Sequence, residues 1–144
     1  SEPEAYSIER LSKDKTTWWE GVRNYQARNF MMQEMSVGDE LIFYHSSAEP
    51  PGIVGLAKVC AAAAPDATQF DKKSDYYDKA ASPEKPRWFC VKIEFVKKFS
   101  KLIPLENLRQ EKALQKMPLL QKGQRLSIQP VSAEEFSFIK KMQP

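Results

Sequence analysis

A chain of 144 residues is the size of one domain and long enough to bury a core without disulfide or metal staples. Hydrophobic residues make up 42% of it, yet no apolar run approaches the roughly 18 to 20 residues of a membrane span, so a soluble protein with no membrane association is expected. The net charge of +3 is spread unevenly: residues 1–50 hold five basic and nine acidic groups, whereas 92–125 hold nine basic and three acidic. A polyanion is drawn to the C-terminal half by that distribution, although the same lysines suit an ordinary solvated face.

In chain order, Ser7 to Lys13 reads as a short helix with Ser7 as N-cap and Ile8 and Leu11 facing inward. A second helix starts from Asn24, places Tyr25, Ala27, Phe30, Met31 and Met35 at apolar positions, and ends near Gly38. Glu40 to His45 and Ile53 to Cys60 read as paired strands, the second entered through a Pro50-Pro51-Gly52 turn. Residues 64–86 mix Asp, Lys, Ser and Pro and read as a long irregular excursion, a candidate lid or rim. Val91, Ile93 and Phe95 then alternate with Lys92 and Glu94, the period of a half-buried strand. A separate strand around Leu102 and Ile103, a short helix from Leu105, a loop from Pro118 to Gly123 and a strand through Leu126 and Ile128 follow. Ser132 with Glu135 forms a capping box that opens a last helix burying Phe136, Ile139 and Met142. Strands interrupted by short helices fit a closed or nearly closed barrel with helices at its rim, which the pattern alone does not separate from other α+β folds.

Cys60 and Cys90 lie in apolar, strand-like surroundings with no CxxC and no His/Cys cluster. They are expected as reduced core residues of an intracellular protein, cytoplasmic or, in a eukaryote, nuclear. No GxGxxG, GxxxxGK[ST], HExxH or [HC]xE with PCxxC occurs, which removes the main support for nucleotide-cofactor enzymes, zinc proteases and zinc base deaminases.

The chemistry concentrates in Trp18-Trp19-Glu20-Gly21-Val22-Arg23-Asn24-Tyr25-Gln26-Ala27-Arg28-Asn29-Phe30. Flat aromatic faces, planar amides and guanidiniums are the groups that hold a splayed-out base: a surface to stack on, amides for its edge, cations for the neighbouring phosphates. Asn24 competes for that work with a helix N-cap, so Asn29 is the purer recognition candidate. Arg23, Arg28 and Arg125 are candidates to grip phosphate or stack on a base, with surface or salt-bridged arginines as the alternative. His45, the sole histidine, shares a strand face with Phe43, opposite Tyr44 and Ser46, and is either a satisfied structural group or a pocket-lining donor. Trp88 either closes an aromatic cage or plugs one end of the fold. A hydrolase built from His45 and Ser46 fails because neighbours on a strand point to opposite faces.

The thirteen-residue string resembles the central motif of the EVE domain family. Ser1-Glu2-Pro3, then Phe43-Tyr44-His45-Ser46 with Gly52-Ile53-Val54-Gly55, and Gln124-Arg125-Leu126-Ser127-Ile128-Gln129-Pro130 fall in the family's order. The resemblance implies one domain over 1–144 with a PUA-like fold related to YTH domains: a β-barrel of about five to six strands with short helices at its rim. It also implies a short apolar strand just ahead of the Ser-Glu-Pro. The implied role is a monomeric, non-catalytic module that needs no cofactor or metal and takes a flipped base into an aromatic pocket on DNA or RNA. The base would be of the 5-methylcytosine, 5-hydroxymethylcytosine or N6-methyladenine type. The implied site is Trp19, Arg23, Asn24, Tyr25, Arg28, Asn29, Phe43, His45, Ser46, Arg125 and Ser127, with Trp19 as the first candidate for a pocket wall and a plain core residue as its alternative. The competing reading is a small amidohydrolase acting on modified nucleosides, for which Glu2 and Glu20 are the only acids inside the matched motifs and need a lysine partner. A protein-interaction domain is the third, favoured by an exposed apolar patch in place of a pocket.

Overall fold

The computed structural model describes residues 1–123 and 126–143. Its elements are α1 (Ile8–Asp14), β1 (Thr16–Trp18), α2 (Tyr25–Gln33), β2 (Glu40–His45), β3 (Gly52–Pro65), β4 (Phe89–Pro104), α3 (Leu105–Arg109) and α4 (Ala133–Met142). Short 3-10 turns cover Ala67–Phe70, Lys112–Leu114 and Pro118–Leu120. All strand pairs are antiparallel and the sheet order is β1-β4-β3-β2. The α+β class is as expected, but among the described residues the sheet is open and four-stranded, not a barrel of five to six strands.

Two features account for that difference. The strands read separately at Val91–Phe95 and at Leu102–Ile103 are the two ends of one 16-residue strand, β4. Register shifts at four points along its pairing with β3 mark bulges, each of which bends the strand and interrupts the period-two pattern that sequence reading depends on. Leu126 and Ile128, read as a strand, lie instead in irregular chain, where the Gln129 side-chain amide donates to the Leu126 carbonyl at 2.7 Å. The three-residue β1 is too short to show any period.

Both faces of the sheet are buried, so β3 reads as a continuous apolar run and not as an alternation. On one face Val54, Ala57, Val59, Phe43, Val91 and Ile93 pack with Ile8 and Leu11 of α1 and with Ala27 and Met31 of α2. On the other, Ile53, Leu56, Phe99 and Ile103 pack with Leu108 of α3, Leu114, Met117 and Ile139 of α4. The helix starts follow the sequence closely. Ser7 accepts from the Arg10 amide at 3.1 Å, Asn24 from the Ala27 amide at 3.0 Å, and Ser132 with Glu135 forms the reciprocal capping box. The second helix stops at Gln33, short of Gly38, because the chain turns at 36–39, where Asp39 accepts from the Ser36 amide at 2.9 Å. Cys60 and Cys90 are free thiols, and burial pushes the Cys90 thiol up to about 12. No helix among the described residues is long and apolar enough to cross a membrane.

His45 sits where β2 meets α1. It is buried, its ring edge meets Phe43 with centroids 5.9 Å apart, and its Nε2 accepts the Ile8 amide at 3.2 Å. An imidazole that accepts a backbone N–H must be neutral, and burial holds its pKa below the ordinary 6.5. The unfolded chain therefore takes up this proton first as pH falls. The stability that His45 contributes is fully present above about pH 6.5 and is lost as the pH drops through the folded value. Thermal melts between pH 7.5 and 5 should show a falling midpoint, and His45→Gln, which keeps an acceptor but does not titrate, should flatten that slope; an equal slope in both proteins would remove His45 as its source.

Candidate nucleic-acid interface

The excursion expected at 64–86 runs over 66–88 between β3 and β4, and one buried carboxylate fixes the string at 18–30 to it. Asp66, at 0% exposure, accepts through Oδ2 from the Gly21 amide at 2.8 Å and from Arg23 Nη1 at 3.0 Å. Its Oδ1 accepts from the Thr68 amide at 2.8 Å and from the Thr68 hydroxyl. Burial alone raises a carboxyl pKa, but the bonds from Thr68, Gly21 and Arg23 outweigh it and hold Asp66 below its usual range. Gly21 makes the approach possible: its φ is +92°, and a Cβ there would stand 2.7 Å from the Tyr76 ring.

Arg23 is consumed by this arrangement. Its Nε and Nη2 donate to the Tyr76 carbonyl, Nη2 also to the Thr68 hydroxyl, and Nη1 to Asp66 and the Val22 carbonyl. All five guanidinium N–H groups have protein acceptors, the salt-bridged alternative for Arg23: it is an internal cation that ties down the excursion.

Arg23 is also one layer of a stack. Its guanidinium lies 5.4 Å from the ring centroids of both Tyr76 and Trp88; Trp88 stacks on Tyr25 at 4.7 Å; and Arg28 covers Tyr25 at 4.6 Å. Trp88 is 7% exposed and donates its indole N–H to Asp78 at 2.8 Å, so it plugs the junction and is not an open cage wall. Gln69, fully buried, accepts the Arg87 and Trp88 amides at 2.9 and 3.0 Å and donates to the Asp66 and Trp88 carbonyls. The Arg87 carbonyl in turn accepts from Arg28 Nη1 at 2.7 Å.

Beyond the stack, the face of α2 carrying Gln26, Asn29, Phe30 and Gln33, with Glu34 at its C-cap, opposes Leu126, Ile128 and Pro130 across a cleft of about 250 Å³. The helical spacing i, i+3, i+4, i+7, i+8 puts those five side chains in one row. Three planar amides and one phenyl face line it, and Phe30 belongs to neither apolar cluster. Asn29 Oδ1 accepts from Arg28 Nε at 3.1 Å and Nη2 at 2.8 Å.

The remaining expected site residues fall elsewhere. Asn24 spends its side chain on the α2 cap. Trp19 is half-buried against the first apolar cluster, edge-on to Tyr6 at 5.9 Å and Phe43 at 5.6 Å, which gives it the packing role that was the alternative to a pocket wall. Phe43 is core, the Ser46 amide donates to the Ser1 carbonyl at 2.7 Å, and Ser127 is exposed beside the cleft-lining Leu126 and Ile128. Arg125 lies outside the described residues. A second cleft of about 120 Å³ is lined by Trp18, Glu20, Ala64, Pro65, Ala67 and Cys90. Burial, and then the nearby Asp66 charge, push Glu20 above its ordinary range, but among the described residues neither Glu20 nor Glu2 forms an ion pair with a lysine. Sequence reading missed Asp66, Gln69, Tyr76 and Arg87, all in the excursion; its length was the only signal, because none of these residues falls in a periodic pattern.

An open antiparallel sheet covered on both faces, with an amide-lined cleft beside its second helix, defines a small α+β domain. The chain belongs to the EVE domain family, whose profile matches residues 1–142. It is 44% identical to thymocyte nuclear protein 1 of Homo sapiens across 93% of this chain. It spans about three fifths of the length of the curated relatives it matches, 63% of the human and 59% of the Gallus gallus protein. Among solved structures, a Pseudomonas syringae protein matches with a TM-score of 0.94 and 45% identity over 98% of this chain and 94% of that one. Human THYN1, crystallised in complex with DNA containing 5-methylcytosine, matches with a TM-score of 0.88 and 42% identity over 94% of this chain and 84% of that one.

Removing one partner of a buried ion pair strands the other, at a cost of about 3 to 5 kcal/mol. Asp66→Ala should therefore lower the urea midpoint by an amount equivalent to about 3 kcal/mol, the lower end because Arg23 keeps 21% of its side chain exposed. Limited proteolysis should then cut first within 66–88. A midpoint unchanged from the parent would show that Asp66 does not hold the excursion.

Proposed function

We propose that the domain binds DNA or RNA non-catalytically and takes a modified base, swung out of its stack, into the cleft between α2 and residues 126–130. The observation that carries this reading is the match over 94% of the chain to human THYN1 crystallised with 5-methylcytosine DNA. The cleft supports it independently: Phe30 offers a face for stacking, and Asn29 with Gln26 and Gln33 offers amides for a base edge. A methyl group buried in such a site gains roughly 0.8 kcal/mol. The basic segment at 92–125, where Lys97, Lys98 and Lys101 are exposed along β4, supplies charge for the backbone of the strand. Arg125, inside the matched Gln-Arg-Leu-Ser string, is assigned a phosphate contact. The amidohydrolase alternative has less support, since the general base with a lysine partner that it requires is not assembled among the described residues and the relative's complex is one of binding.

The reading is tested by fluorescence anisotropy with short single and double strands carrying one modified base each. Phe30→Ala should weaken binding of the preferred strand by about 1 to 3 kcal/mol with little change in melting temperature. Trp19→Ala should instead lower the melting temperature, toward the lower end of the roughly 3 to 5 kcal/mol of a core Trp truncation because it is only half-buried. A stable Trp19→Ala protein that has lost binding would move the base from the α2 cleft to Trp19. Reversing Lys122 and Arg125 to Glu should weaken modified and unmodified strands alike and reduce the slope of log K against log salt by about 0.7 to 0.9 per lost contact. Loss of the preference with the salt slope intact would make Arg125 a reader of the base.

A further inference from the structure

Resting on the reading of the domain as a nucleic-acid binder, we infer that the smaller cleft, beside Trp18 and Glu20, is a second subsite: it takes an unpaired guanine of the bound strand, stacked on Trp18 and read by the Glu20 carboxylate. The local chain geometry sends both side chains the same way. The Glu20 amide donates to the Trp18 carbonyl at 2.9 Å, a tight turn across Trp19, so residues 18 and 20 line the cleft while Trp19 packs against the first apolar cluster. The facing wall is the paired end of β3 and start of β4, where Ala64 is in register with Cys90, and Pro65 and Ala67 flank the buried Asp66. The space enclosed is about 120 Å³.

Of the side chains that line this cleft, the Glu20 carboxylate is the one strong hydrogen-bond acceptor. Ala64, Pro65 and Ala67 are apolar, and Cys90 is a buried thiol held protonated. Asp66 has both oxygens committed to Gly21, Arg23 and Thr68, whereas the Glu20 side chain has no hydrogen bond or ion pair among the described residues. Asp66 and Cys90 both feel its charge, so the carboxylate itself lies toward the cleft.

A free carboxylate accepts only, through two oxygens side by side. Guanine alone among the bases matches it with two adjacent donors, N1–H and the 2-amino group. Cytosine sets its amino group beside the N3 acceptor and adenine beside N1, while thymine and uracil set one N–H between two carbonyls; each of those acceptors would meet a carboxylate oxygen and be repelled. In a duplex the guanine donors are spent on cytosine, so the guanine must be unpaired. A Trp–Glu pair could also hold an ammonium group, but Lys92, opposite Trp18 on β4, already holds its Nζ 5.9 Å from the Trp18 ring centroid. That charge repels a second cation and suits the phosphate beside a stacked neutral base.

The test uses single strands of thymidine carrying one 5-methylcytosine or its unmodified control. One guanine is moved through the positions on either side, then replaced there by inosine, which lacks only the 2-amino group, by adenine or by cytosine. Anisotropy with the parent domain should find one position where guanine binds more tightly than adenine or cytosine by roughly five- to a hundredfold, and more tightly than inosine by roughly fivefold. Trp18→Ala should weaken guanine and inosine alike at that position, because a stacking face is sequence-tolerant. In Glu20→Gln the amide oxygen accepts N1–H and the nitrogen donates to O6, so guanine still binds but the inosine penalty should disappear. Glu20 is exposed, so the change removes no core packing.

No position with a guanine preference, or an inosine penalty that survives in Glu20→Gln, overturns the guanine subsite; a retained preference for 5-methylcytosine then leaves the proposed function standing. A preference for cytosine or adenine at the responding position would make a protonated Glu20 the reader and overturns it too. GMP that binds more tightly than the guanine strand would make the ligand a free nucleotide and overturns the assignment to a strand. If no strand binds, the proposed function fails and the subsite falls with it.

Discussion

The buried Asp66 carboxylate is the contact on which the other features around the cleft depend. It stands just past the end of β3, and its two oxygens gather the Gly21 amide, the Arg23 guanidinium and both donors of Thr68. A carboxylate taken out of water is tolerated only when its lone pairs are matched in this way, and here the hydrogen bonds outweigh burial and hold its pKa below the usual range. Through that one group the 18–30 string and the 66–88 excursion, far apart in the chain, become a single unit. The excursion is thus pinned at its root, and its 3-10 turn over Ala67–Phe70 is capped by the same residue.

From that root the order spreads by stacking. Tyr76, Arg23, Trp88, Tyr25 and Arg28 form one run of rings and cations, with Trp88 stacked directly on Tyr25. Each exposed cation–π contact is worth about 0.5 to 1 kcal/mol, so no single layer is decisive. The consequence for recognition is geometric. Two of the arginines that sequence reading assigned to the ligand are held by the protein itself, Arg23 completely and Arg28 through three of its donors. They orient the neighbours of the cleft, and in the proposed reading charge neutralisation falls to residues further along the chain.

Those residues are lysines of the 92–125 segment. Some are paired on the surface, Lys98 with Glu9 at 3.2 Å for example, but with both side chains about half exposed such a pair contributes little and opens easily. A polyanion can therefore compete for Lys98 at small cost. Lys92, by contrast, lies 5.9 Å over the half-exposed Trp18, which keeps a cation beside an aromatic face near the smaller cleft.

Local chemistry was legible in the sequence. Ser7, Asn24 and Ser132 cap helices because a short oxygen-bearing side chain next to a helix-period pattern has one preferred use, and the paired strands around Pro50-Pro51-Gly52 follow from turn chemistry. The concentration of amides, rings and guanidiniums in 18–30 also marked where recognition would be sought. The sequence could not disclose that β4 runs unbroken through bulges, nor that the sheet stays open, because a bulge destroys the period that would report it. Nor could it show that Arg23 is spent on Asp66 or that Asn29 is turned by Arg28. Hydrogen-bond capacity is a property of the residue, but whether a donor or acceptor remains free is settled by partners brought in from Thr68, Tyr76 and Arg87. The residue types that line the cleft were written in the chain; which of their donors and acceptors stay free is decided only when the excursion folds back onto α2.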